Sequence, residues 1–143
     1  MARIRLYFII LFFLFFNGCA KFDFDSLIKK FGRKNEIEYF PNGCPKHSIS
    51  YFNSKFDGEM LRWNKNCILI SRANYENGKL HGLWESFYDD GTIMHSINYF
   101  YGQKNGFERW YYPSGKLKTQ TMYKFNRKES EIMSWDEFGK IIN

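Results

Sequence analysis

The side chains with reactive groups are few and badly placed for one another. His47, His81 and His95 have no second ligand or acidic partner at a spacing that a strand or helix would turn into a site. His95 falls in the slot that Ser71 and Thr119 fill in neighbouring segments, which marks a packed or hydrogen-bonded imidazole rather than a base. His47 has Cys44 nearby, but a structural zinc site needs further ligands that this stretch lacks. Asp89 and Asp90 are adjacent carboxylates of the kind acid–base catalysis uses, yet they stand where Pro113 and Ser114 stand one segment later, which is a turn. No glycine-flanked nucleophile and no phosphate-cradling loop is present. The expectation is a chain that is not an enzyme, with no catalytic residue, no metal and no cofactor.

Large rings are the other chemical resource, since aromatic residues make up 21% of the composition. Trp84, Tyr88, Trp110 and Tyr112 fall on the opposite phase from Phe87 and Tyr111, so a sheet would present them as a ladder suited to a protein interface or to stacking on a ligand. The alternative is a sheet that curls and packs both faces internally. Lys29, Lys30, Arg33 and Lys34 cluster beside Phe31, but no nucleic-acid reader motif accompanies them, so no nucleic-acid partner is expected.

The elements that must carry these rings follow from an internal repeat. Tyr51, Tyr75, Tyr99 and Tyr123 are spaced by 24 residues, and after each comes an aromatic slot at Trp63, Phe87, Tyr111 and Trp135. Gly91, Gly115 and Gly139 follow in step, Cys67 takes the glycine's place one unit earlier, and Gly58, Gly82 and Gly106 repeat on the same beat. Such glycines suit tight hairpins, here at 89–91, 113–115 and 137–139, while longer turns at 77–82 and 102–106 hand the chain to the next unit. Alternation places Leu117, Thr119, Thr121, Tyr123 and Phe125 on the sheltered face, with Ile93, Ile97, Tyr99 and Tyr101 repeating it one unit earlier.

The expected fold is all-β: an open, twisted antiparallel meander of stacked hairpin repeats over 39–143. Its units run at about 27–50, 51–74, 75–98, 99–122 and 123–143. The run WESFYDDG at 84–91, preceded by spaced glycines and followed by a second strand, resembles the bacterial variant of the MORN repeat. The resemblance covers 51–143 well and 27–50 poorly. It implies a non-enzymatic interaction module with an unknown protein partner. Proteins of this kind are grouped under an antitoxin label, which would make that partner a toxin, and a role in organising a membrane surface has been suggested for MORN proteins.

The N-terminus reads as an address. Arg3 and Arg5 precede an apolar run from Leu6 to Phe16, long enough for a secretory signal core and too short to span a membrane. With Asn17, Gly18 and Cys19 behind it, this segment resembles a bacterial lipoprotein signal. That resemblance implies cleavage after residue 18, lipidation of Cys19, and membrane attachment at a bacterial cell envelope, in the outer membrane if the host has two. Removing the two leader arginines from 21 cations leaves 19 against 15 acids, a modest net +4. Residues 19–38 are expected to be a tether, with a short helix over 20–34 or an extended path as alternatives. Cys44 and Cys67 remain as the candidate disulfide; a two-strand separation of roughly 9 to 10 Å argues against it, and folding-over of the irregular first unit would close the gap.

Overall fold

The computed structural model describes residues 32–142. The signal segment 1–18, Cys19 and nearly all of the 20–34 span therefore lie outside the described residues. The first strands are β1 (Lys34–Tyr39), β2 (Pro45–Phe52), β3 (Lys55–Trp63) and β4 (Leu69–Glu76). They are followed by β5 (Lys79–Leu80), β6 (Gly82–Phe87), β7 (Ile93–Phe100), β8 (Gln103–Tyr111) and β9 (Leu117–Lys124). Two short pieces, β10 (Arg127–Lys128) and β11 (Met133–Ser134), pair with β9 at the end. All form one open antiparallel sheet in the order β1-β2-β3-β4-β6-β7-β8-β9-β10, with β5 beside β4 and β11 beside β9, so it is the expected all-β meander.

Two turn types alternate along it. At Gly43, Cys67, Gly91, Gly115 and Gly139 the backbone is left-handed, with φ from +62° to +91°, closing each β1–β2-type hairpin. Side chains pin these turns: Asp90 Oδ1 accepts from the Thr92 N–H at 2.8 Å, and Asn64 Oδ1 from the Ile68 N–H at 3.1 Å. The connections between hairpins are shorter than expected. Asn53–Ser54, Asn77–Gly78, Tyr101–Gly102 and Phe125–Asn126 are two-residue turns with φ between +47° and +86° at every position, the geometry that matches strand twist. The last three turns are held to the preceding unit: the Gly78 N–H donates to the Phe56 carbonyl at 2.8 Å, the Gly102 N–H to that of Leu80 at 2.7 Å, and the Asn126 N–H to that of Lys104 at 2.9 Å.

Gly82 and Gly106 are consequently strand residues, not turn residues. Gly58, Gly82 and Gly106 lie directly across from Tyr75, Tyr99 and Tyr123, so the two repeating signals of the sequence meet in space. At φ +126° a β-carbon on Gly106 would sit 3.2 Å from the Asn98 Cβ, and at φ +109° one on Gly58 would sit 3.1 Å from that of Ser50. Both left-handed backbone and crowding demand glycine there.

β1 begins inside the span read as tether. Its residues are all exposed and mostly polar, so it lacks the apolar alternation that would mark a strand; cross-strand pairs such as Ser48–Asn35 (3.0 Å) and Lys46–Glu38 (2.9 Å) hold it to β2. The sheet has no second layer among the described residues. Among the described residues Ile97 is the one large side chain that is fully buried, with Ala73 and Cys44 nearly so, and the remaining shelter is given by neighbouring rungs to each other.

Candidate interaction site

Residues directly opposite in antiparallel strands share a face, and the register gathers one set of side chains on β6 to β9. Trp84 faces Ile97, His95 faces Trp110, Ile97 faces Glu108, and Glu108 faces Thr121. His95 is buried to 8% exposure between two indoles: Trp110 stacks on it at 3.9 Å and 16°, and Trp84 meets it edge-on at 5.2 Å. Its Nε2 lies 3.1 Å from Glu108 Oε1, which also accepts from Lys104 Nζ at 2.8 Å. Lys104 in turn lies 4.9 Å over the Tyr123 ring.

Burial pushes the His95 imidazole below its ordinary range, against the pull of Glu108. Burial alone would raise the Glu108 carboxyl, but the Lys104 hydrogen bond and charge with His95 outweigh it and hold it low. Ser86, directly across from His95, has a buried Oγ with no hydrogen-bond partner among the described residues. The imidazole is thus engaged by a carboxylate and two rings, not by a hydroxyl it could activate. What the arrangement presents outward is Trp110, 41% exposed and backed by a fixed stack.

This placement corrects the expected ring ladder. Trp84 and Trp110 share the face of Ile97 and Thr121, the one read as sheltered, so the four rings do not form a surface of their own. Tyr88 and Tyr112 sit at the hairpin turns. Their hydroxyls donate to the carbonyls of Tyr111 (2.7 Å) and Trp135 (2.9 Å), stapling each hairpin to the next. The opposite face carries polar pairs instead: Arg72 Nε to Glu85 at 2.9 Å and Arg109 Nε to Gln120 at 2.8 Å, over the buried Ser96.

Tyr101 and Phe125 also depart from expectation. Read as sheltered, they open two-residue turns with φ near +47° and +48°, leave the strand alternation, and stand 42% and 51% exposed. Phe52 and Phe100 flank such turns and are exposed as well. Along the same edge Lys55, Lys79, Lys124, Arg127 and Lys128 are exposed. The edge is hidden in the sequence because strict alternation reads Tyr101 and Phe125 as strand positions.

Cys44 and Cys67 are joined by a disulfide, with Cα atoms 5.1 Å apart. The separation expected from a full repeat was too large because Cys44 leads into β2 while Cys67 lies in the turn after β3, the strand beside β2, so one strand spacing divides them. Among the described residues no group of three or more His, Cys, Asp or Glu is placed to hold a metal.

A protein-family model described as MORN repeat variant matches residues 80–100 and 104–125. Residues 80–125 carry a MORN repeat variant. The two matched MORN units are β5 to β7 and β8 to β9, which bear Trp84, His95, Glu108 and Trp110. MORN repeats are generally protein- or membrane-interaction modules. No match is found among curated proteins.

Proposed function

We propose that this chain is a non-enzymatic interaction module that engages a protein partner through the MORN face centred on Trp110. The supporting observation is the half-exposed Trp110 indole stacked on His95, whose own ring is bonded to Glu108 and through it to Lys104: an aromatic anchor packed in place costs little to order on binding. In this reading the module is displayed at a bacterial envelope by lipid on Cys19. A photo-crosslinker at position 110 should give a discrete protein adduct in envelope preparations, while one at Phe107 on the opposite face should not. Trp110→Ala should weaken binding by roughly tenfold or more. Equal adducts from both faces would defeat the assignment, and a mature N-terminus other than acylated Cys19 would remove the envelope placement.

A second reading is favoured by the turn edge. Phe100, Tyr101 and Phe125 with five neighbouring cations form a row of amphipathic and basic groups suited to an anionic membrane surface. Phosphatidylserine vesicles should then bind the unlipidated domain in a salt-sensitive way that Phe125→Ala weakens and Trp110→Ala does not.

A further inference from the structure

We propose that Cys67 is a thiol–disulfide exchange site, and that the Cys44–Cys67 bond latches the first hairpin over the edge of β3. The two cysteine residues differ in exposure: Cys67 is exposed in its turn, whereas Cys44 is 8% exposed at the entrance to β2. A dithiol reductant therefore reaches the Cys67 sulfur first. Its thiolate bonds to that sulfur, the disulfide bond breaks, and Cys44 leaves as a thiolate that takes a proton from water. The reductant's second thiol then gives up its proton and attacks its own bonded sulfur, closing the reductant's disulfide and releasing Cys67 as a thiol. Two electrons have passed from dithiol to cystine.

Without the bond the hairpin keeps its β2–β3 ladder, the Tyr51–Phe56 ring contact at 5.2 Å and the Arg33–Asp57 pair at 3.1 Å, but no large buried side chain. Every residue of β1 is exposed, its Lys34–Glu36 and Lys46–Glu38 pairs are surface pairs, and the turn is tied to its neighbour by Asn42 Nδ2 donating to the Lys65 carbonyl at 2.6 Å. Cys67 also holds φ +62° in the slot where the other four units make the same left-handed turn with glycine, Gly43, Gly91, Gly115 and Gly139. In an array whose rungs contact only their neighbours, loss of the bond loosens the terminal hairpin and leaves the rest standing. β3, nine residues long, then has an open edge.

Amide exchange on the full chain, oxidised and after dithiothreitol, tests this. Reduction should speed exchange in β2 by roughly a hundredfold, the loop-closure effect of a bond across 23 residues, with β7 to β9 unchanged. Unaltered protection in β2, or equal loss in β7 to β9, would overturn the latch. A Cys44→Ser, Cys67→Gly double variant removes the bond while restoring the glycine; it should exchange like the reduced protein, and protection like the oxidised protein would overturn the proposal. Brief treatment with glutathione should leave its adduct on Cys67, and an adduct on Cys44 would refute the assigned point of attack.

Discussion

At the scale of single residues, His95 ties stability to pH. Its folded imidazole titrates below the ordinary 6.5 because burial between Trp84 and Trp110 disfavours the cation more than Glu108 favours it. The unfolded chain then takes up protons more readily, so this contribution is whole above about 6.5 and is lost as the pH falls through and below that value. Glu108, held low, adds a contribution lost below its ordinary 4.5. The urea midpoint should therefore fall from pH 7.5 to 5.5, and His95→Gln should flatten that part of the profile; an unchanged slope in the variant would count against it. Gly106→Ala should cost about 2 kcal/mol or more, from φ +126° and the 3.2 Å approach to Asn98. Gly82→Ala, with 3.8 Å to Asn74 and φ +89°, should cost less, and the reverse order in urea titrations would show that crowding is not the deciding term.

At the scale of elements, the last unit shows what the strand glycine does. Ser130 stands 24 residues after Gly106, and there the strand breaks into the two-residue pieces β10 and β11. The Met122 N–H donates to Ser130 Oγ at 3.0 Å instead of to a ladder carbonyl, and Trp135 pairs with Ile141 in an isolated bridge. A broken edge is a poor template for pairing with another sheet. The interruption of this edge argues against its pairing with a partner strand. Ser130→Gly should let the strand run on from Arg127 through Ser134 and increase concentration-dependent self-association in sedimentation velocity. A strictly monomeric variant would mean that the glutamates at 129 and 131, not the serine, keep the strand apart.

At the scale of the whole described sheet, stability must be graded. A single layer with Ile97 as its fully buried large side chain has no shared core, so each rung is held by the two beside it. Amide exchange should be slowest in β7 and quicken toward β1 and β10, as measured by hydrogen exchange under native conditions. Uniform protection across all strands would instead indicate one cooperative unit. The same geometry separates the two proposed surfaces: the Trp110 face lies on the flat of the sheet, and the aromatic and cationic row lies along its turn edge, so the two readings of function can be tested by substitutions that do not touch each other.

The repeat of 24 residues was enough to determine an all-β meander, its phase, and which tyrosines sit one rung apart, because side-chain alternation and turn glycines are local consequences of backbone geometry. It also placed Cys67 in a glycine's turn position, and the structure shows φ +62° there. Register across strands was not legible. That Trp84 and Trp110 close over His95, that Glu108 reaches both His95 and Lys104, and that Cys44 lies within bonding distance of Cys67 each depend on how neighbouring strands are staggered, with bulges such as those after Ser86 and Trp110. Bulges and two-residue turns shift which face a ring occupies by one position, and only pairing in three dimensions decides where those shifts fall.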